Sequence, residues 1–317
     1  MARKLHTCPH SPAPKPRYRV TNWPEYNRAL VARGSVTLWL SDDVARGWRA
    51  RSGKGCVYSD AAILCALSLR AVFGLTLRQA QGFLMSLAQR LLPGLPVPHY
   101  STLCRRAAGL NVPRPRRRDG PVHLVVDSTG LKVFGEGEWK VRQHGYCKRR
   151  LWRKLHLGVD EATGEVLAHE LTESKMHDAP VLPELLAQIE GPLEQVSADG
   201  AYDSYNCHRV ILAKGANPVI PPRKGAAIHP QPGTKDPPST RGEIVRRIIE
   251  IGAKAWKVEA NYHRRSLAET AMYRVKTLFS PNLRSRTLPN QKTEAAVTVN
   301  CLNQFTALGM PVSVKIG

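Results

Sequence analysis

His123 to Phe134, HLVVDSTGLKVF, is the stretch that decides the fold. Its leading residues are apolar on successive positions. A strand of that kind is buried on both faces, as in the centre of a sheet covered by helices. The run ends in a carboxylate, Asp127. A buried acid is costly unless it is paired, hydrogen-bonded or metal-bound. The plainer alternative is a turn aspartate ahead of Ser-Thr-Gly.

Downstream of this strand, LHLGVD (155–160), EATGE (161–165) and VLAHELT (166–172) read as strand, tight turn and returning strand. HDAPVLPELLAQIEG (177–191) reads as a helix with Asp178 near its start and Pro180 in its first turn. QVSADGAYD (195–203) is a short strand, SYNCHRVILAKG (204–215) a helix and NPVIPP (217–222) a strand. Residues 223–242, rich in Pro, Gly and Lys, read as a loop or insertion, and the helical stretch 243–261 follows. Two more helices are predicted over 263–280 and 290–309. Strands first and helices last predict an α/β (mixed α+β) class, with a mixed sheet covered by helices.

Upstream, PRPRRRDG (113–120) is a basic, Pro-containing linker that marks a boundary near residue 118. From Tyr18 to Ala108 the pattern is helical, giving an all-helical N-terminal domain over 18–118. YSDAAILCALSLRAVFG (58–74) has Ser59 as N-cap and Gly74 as its stop. LRQAQGFLMSLAQRLL (77–92), a Pro/Gly loop and STLCRRAAG, capped by Ser101, come next. A helix, a turn and a short helix carrying Arg105 and Arg106 fit a helix-turn-helix-like reader of DNA. A plain bundle with solvated arginines fits equally well. Residues 1–17 form a Pro-rich basic tail, disordered by composition. The remainder, 119–317, reads as a second domain with a loop or insertion at about 223–260.

Lys and Arg outnumber Asp and Glu by 47 to 25, for a formal net charge of +22. Such a field attracts a polyanion, and nucleic acid is the usual one. The seven cysteines are scattered and contain no C-x-x-C, which argues against a disulfide framework or a zinc ribbon. His6, Cys8 and His10 match no common zinc spacing, and the other cysteines read as core residues. Neither a membrane-length apolar run nor a secretion signal is visible, so the expected location is the cytoplasm.

In so basic a chain, acids within apolar elements are informative. Asp199 lies in VSADGAYD, but Asp203 competes with it as either a site residue or a helix cap. Glu269 lies on the helix HRRSLAETAMYRVKTLFS (263–280). At about 100° per residue, Tyr262, Arg265, Glu269 and Lys276 share an arc of roughly 60°. Leu267, Ala271, Val275 and Leu278 form the opposite stripe. Glu269 is then either part of a site or one charge of a solvated face. Three carboxylates from separate elements could ligate Mg²⁺ or Mn²⁺, because hard cations take oxygen ligands. A pair of such ions serves in-line phosphoryl displacement.

The spacing Tyr262-x2-Arg265-x3-Glu269-x6-Lys276 resembles the signature of bacterial insertion-sequence DDE transposases. YHRRSLAETAMYRVKTLFSPNLRSR (262–286) is similar to insertion-sequence family 5. So are VVDSTGLKV (125–133), RKLHLGVD (153–160), ADGAYD (198–203), PPRKGA (221–226) and LNQFTALGMPVS (302–313). The resemblance implies a ribonuclease-H-like catalytic domain. It implies that Asp127, Asp199 and Glu269 are the catalytic, metal-holding acids, and so chooses Asp199 over Asp203. Tyr262, Arg265 and Lys276 correspond to DNA-contacting residues. The implied activity is cleavage at element ends followed by strand transfer, with two Mg²⁺ or Mn²⁺ ions. The implied setting is double-stranded DNA (inverted repeats and target), a homo-oligomer and the bacterial nucleoid.

Lys154 and His156 are expected either to face the catalytic region or DNA, or to be ordinary strand residues. Trp256 is either a core residue or a clamp for a flipped base. Two departures stand out. Asn261 occupies the place before the signature tyrosine where many relatives have Gly, and the loop at 226–241 is unusually Pro-rich.

Overall fold

The computed structural model describes residues 17–50, 57–115, 120–133, 151–226, 228 and 240–316. The His6, Cys8 and His10 cluster, residues 116–119 of the linker, and residues 227 and 229–239 of the Pro-rich loop lie outside them.

The described chain opens on a short strand, β1 (Arg17–Val20). Helices α1 (Trp23–Ala32), α2 (Asp42–Arg46), α3 (Asp60–Val72), α4 (Leu77–Leu91) and α5 (Tyr100–Ala107) follow. Ser59 caps α3, its hydroxyl accepting the Ala62 amide at 3.2 Å. Helix α4 opens on a reciprocal box. The Thr76 hydroxyl accepts from the Gln79 amide at 3.3 Å, and the Gln79 side chain accepts from the Thr76 amide at 2.9 Å. The cap of α5 is His99 rather than Ser101: its Nδ1 accepts the Ser101 amide at 3.3 Å, which starts the helix earlier.

The sheet is built from β2 (Val122–Val133), β3 (Trp152–Asp160) and β4 (Val166–Glu173), then β5 (Leu193–Ser197) and β6 (Asn217–Val219). Helix α6 (Leu182–Ala187) lies between β4 and β5, and α7 (Tyr205–Ala213) between β5 and β6. Beyond come α8 (Thr240–Ile251), α9 (Ala253–Glu259), α10 (Ser266–Leu278), β7 (Asn282–Leu283), α11 (Leu288–Leu308) and β8 (Ser313–Ile316).

The strand order is β4-β3-β2-β5-β6, with β7 beside the far end of β2. Pairs β2–β3 and β3–β4 are antiparallel, whereas β5 and β6 continue the sheet parallel to β2. The class is therefore mixed α/β with a central mixed sheet, as the sequence predicted. Strand β2 is buried on both faces, as its unbroken apolar run requires. Val122, Leu124 and Val126 pack with Leu182, Leu185 and Ile211. Val125 and Leu131 pack on the other side with Ala268, Ala271, Val275 and Leu302.

Helix α11 joins the N-terminal helices to the sheet. Ala295, Val299 and Leu302 belong to the sheet-side core, while Val297, Cys301 and Phe305 belong to the core of the N-terminal helices. A helix apolar on two sides must be buried on both. Two of its polar residues, Gln291 and Asn303, tie it to the sheet. The Asn303 amide bonds both Val166 N (2.8 Å) and Val166 O (2.9 Å), and Arg153 donates to Gln291 at 2.7 Å. Cys65, Cys207 and Cys301 are buried core residues, as expected, but Cys104 is exposed. Among the described residues no single helix is long and apolar enough to cross a membrane.

Candidate active site

The register of the two central parallel strands brings the first two acids together. Val125 pairs with Ser197. Asp127 and Asp199 each lie two residues beyond those partners, at the same end of adjacent strands. By strand alternation Asp127 shares the Val125 face, which is covered by α10.

Asp199 follows β5 in extended backbone, and its Oδ1 accepts the Ala201 amide at 2.9 Å. This caps the tight turn Gly200–Tyr202. Arg223 of the PPRKGA element braces that turn, donating to the carbonyls of Gly200 (3.0 Å) and Ala201 (2.9 Å). The competing acid, Asp203, points elsewhere. Its carboxylate accepts two bonds from Arg241, at 2.7 and 2.8 Å, and its side chain has no exposure to solvent.

Glu269 lies in the first turn of α10. The helix packs through Ala268, Ala271, Met272 and Val275. The expected stripe of Leu267, Ala271, Val275 and Leu278 is thus rotated: Leu278 is exposed, and the small alanines let the helix approach the sheet. Glu269 remains on the open side, with its side chain 55 % exposed.

Arg265 links two of the acids. Its Nη1 donates to Asp127 Oδ2 at 2.8 Å and its Nη2 to Glu269 Oε1 at 2.5 Å. Asp127 also accepts the Ser128 amide at 2.8 Å. Burial, above all, pushes the Asp127 carboxyl above its ordinary value. The Ser128 amide and Arg265 oppose the rise, while the charges of Asp199 and Glu269 add to it. Three mutually repelling acids, one of them desolvated, therefore share a single field. Among the described residues no three His, Cys, Asp or Glu side chains are grouped to hold a metal ion as they stand, and the Arg265 guanidinium lies between Asp127 and Glu269. The donor chemistry nevertheless fits a hard divalent cation. Every donor is a carboxylate oxygen, and added positive charge would relieve the repulsion at Asp127.

Tyr262 sits beside this group in a short 3₁₀ turn, Tyr262–Arg265. Its ring lies 5.9 Å from the Arg265 guanidinium and 6.2 Å from the Trp256 ring. Trp256 is only 5 % exposed, so it is a core residue that supports Tyr262 rather than an open clamp for a base. Lys276 is half-buried on the following turns of α10.

Asn261 has φ 52° and ψ 30°, the left-handed region. Glycine reaches this region at no cost and Asn tolerates it better than most residues, which accounts for the exchange at this position. Asn261→Gly is expected to unfold in urea within about 0.5 kcal/mol of the parent. Asn261→Val should lose about 1–2 kcal/mol. Equal midpoints for both variants would remove the conformational argument. Beneath this turn Gln195, His123 and Ser197 form a polar knot, with His123 Nε2 and Ser197 Oγ 2.8 Å apart. Gln195 reaches the Ala260 carbonyl at 3.4 Å.

The remaining sequence candidates find partners other than the three acids. Lys154 and His156 alternate onto the opposite face of the sheet, since the adjacent Leu155 and Leu157 share the Val125 core. There Lys154 Nζ donates to the Met176 carbonyl at 2.9 Å and lies 3.2 Å from Asp178. His156 is fully buried and bonded to Thr172 at 3.0 Å, so a DNA-contacting role is corrected to one within the fold. Desolvation pushes its pKa down to about 4; Asp178 opposes this and Lys154 reinforces it. Below the ordinary value of 6.5 the unfolded chain takes up a proton that folded His156 refuses. Stability linked to this residue therefore falls as pH drops from about 6.5 towards 4. NMR titration should find the His156 ring still neutral at pH 5.5, and a midpoint above 6 would contradict the burial argument. Arg106 bonds Asp60 at 2.5 Å and the Tyr58 carbonyl at 2.9 Å, tying α5 to α3. Arg105 stays exposed on α5.

The braces at Arg223 and Arg241, the knot under Ala260 and the Lys154–Asp178 pair carry no local sequence signal. Each joins residues distant in the chain, and only the ordered PPRKGA element hinted at one of them.

Two family models match the chain. Both are described as a transposase DDE domain, one over residues 31–136 and the other over residues 118–304. Among solved structures, a piggyBac transposase synaptic complex with hairpin DNA is similar at 10% identity. That match covers 92% of this chain and 77% of the other, with a TM-score of 0.38.

Proposed function

We propose, from the premise that this chain belongs to the transposase DDE-domain family, that it cuts DNA at the ends of an insertion sequence and joins the freed 3′-hydroxyl to target DNA. The observation that carries this reading is the bridge Asp127–Arg265–Glu269, with Asp199 at the matching end of the neighbouring strand.

Asp127, Asp199 and Glu269 are the residues that would hold Mg²⁺ or Mn²⁺, two ions in our reading. When bound, such ions polarise the phosphate and favour ionisation of the attacking hydroxyl. The chain's own groups do the rest. Arg265 holds Asp127 and Glu269 in position and is placed to exchange a carboxylate for a phosphate oxygen, its forked donors matching either partner. Tyr262 presents a ring beside that guanidinium, and Lys276 adds a cation on the same helix. In cleavage, a water oxygen bonds to phosphorus, the bond to the 3′ oxygen breaks and a 3′-hydroxyl is released. In joining, that hydroxyl attacks a target phosphate and displaces another 3′ oxygen, so the number of phosphodiester bonds is conserved.

Residues 18–118 serve in this proposal as the DNA-reading helical part, with Arg105 facing outward, and 119–317 as the catalytic part. The insertion at 223–260 includes α8 and α9. Two element ends must meet in one complex, so the working form is a homo-oligomer on DNA.

The test incubates the protein with labelled element ends, a target plasmid and Mg²⁺ or Mn²⁺. Joined products support the proposal. Cleavage without joining would make the protein a nuclease, and binding with neither reaction would make it a DNA-binding regulator.

A further inference from the structure

The first and last described strands, β1 and β8, form a separate two-stranded antiparallel ribbon. Arg17 pairs with Ile316, Tyr18 with Lys315, Arg19 with Val314 and Val20 with Ser313. Isolated ribbons of this kind are marginal in water, yet this one is held firmly at its base. Thr21 donates twice to the Val312 carbonyl, from its amide (2.8 Å) and its hydroxyl (3.0 Å). The Asn22 side chain donates to the Met310 carbonyl at 3.0 Å and accepts the Val312 amide at 2.7 Å. Arg33 of the loop after α1 reaches the Gly309 carbonyl at 3.4 Å.

Among the described residues, little covers the ribbon above that base. Seven of its eight residues are exposed, and Tyr18 is 64 % exposed. It carries three cations, Arg17, Arg19 and Lys315, and no acid. Among the described residues none of the three takes part in an ion pair. Among the described residues neither edge pairs with a further strand, and open edges are ones that proteins normally hide or blunt with charge.

We infer that the β1–β8 ribbon is a second DNA-contacting element, separate from the acidic site, which lies against duplex DNA and neutralises phosphates with Arg17, Arg19 and Lys315. A two-stranded ribbon fits the major groove, which is about 12 Å wide. Charge complementarity chooses DNA over a second copy of the chain, because two such ribbons would bring six cations together without an acid between them. The inference deepens the DNA-transposase reading and rests on it.

The test is the triple variant Arg17→Gln, Arg19→Gln, Lys315→Gln in the full chain. These side chains are exposed, so the variant should melt with the parent. Dissociation constants for duplex DNA are measured by anisotropy across a salt series. Three lost phosphate contacts should flatten the slope of log K against log salt by about 2–3 and weaken low-salt binding by on the order of tenfold or more. An unchanged slope and affinity, in a parent that binds and joins DNA, would overturn the ribbon inference alone. Loss of self-association with an unchanged slope would overturn it in favour of a second copy. A parent that binds no DNA would sink the wider reading as well.

Discussion

Asp127→Asn is expected to reduce strand joining by at least about 10³-fold, while leaving the protein no less stable than its parent. The two halves of this expectation have one cause. The Asp127 carboxylate is half-buried and lies in the field of Asp199 and Glu269, so the fold disfavours its charge. Asn keeps the shape and can still accept the Ser128 amide. It removes the repulsion, and with it both the anionic oxygen and the partner of Arg265. A residue retained against the interest of stability is the mark of a working site. Asp199→Asn and Glu269→Gln should show the same loss of joining. The measurements are joined product per unit time in Mg²⁺ and in Mn²⁺, set beside urea unfolding of the same preparations. Parental joining rates in all three variants would show that the acids do not form the reacting centre.

How much of this was readable in the sequence depends on the distance over which each feature is encoded. The run HLVV, on strand β2, needs only adjacent residues to announce burial on both faces, and so a place in the interior of the sheet; the strand order was not legible. Tyr262, Arg265 and Glu269 fall on successive turns, so their shared face was legible from spacing. The buried side of α10 was less so. Spacing put Leu267 and Leu278 in the stripe with Ala271 and Val275, but packing kept only the latter two and added Ala268 and Met272, because close approach to a sheet favours small alanines and a flexible methionine. The ribbon was invisible for a stronger reason. Arg17–Val20 shows no useful periodicity over four residues, and its partner lies at the other end of the chain. Arg241 was beyond reach as well, since it meets Asp203 across an interval of 38 residues that includes the Pro-rich loop. The Asp199 and Asp203 pair shows this limit most sharply. Both sit in ADGAYD and nothing local separates them; what separates them is the partner each one finds.

The opposite outcome is therefore expected only four residues further along the chain. Asp203→Asn should lower stability by about 3 kcal/mol, the range for breaking a buried ion pair by removing one partner. The Asp203 carboxylate accepts both Arg241 bonds and the Arg223 amide at 2.9 Å. Burial alone would raise its pKa, but His208, Arg241 and the Arg223 amide outweigh that and hold the carboxyl well below the usual carboxylate range. A depressed folded value stabilises the protein above the unfolded value, near 3.8, and that stability drains away as pH falls below it. The parent should accordingly lose stability steeply below about pH 4, and the Asn variant much less so. The asparagine leaves Arg241, whose side chain is 13 % exposed, without its carboxylate. Adding Arg241→Leu to Asp203→Asn should then recover part of the loss by removing the stranded charge. Urea midpoints at pH 7 and pH 3 for the parent, the single variant and the double variant test all of this together. A single variant as stable as the parent at pH 7 would mean that the bridge contributes nothing. Any fall in joining by Asp203→Asn should follow the folded fraction and the looseness of the turn that carries Asp199, because Arg223 braces that turn from the same side. The two aspartates differ in what they are for because one is held by cations that the fold supplies, whereas the other faces acids whose charge only a bound cation or a phosphate-seeking arginine can offset.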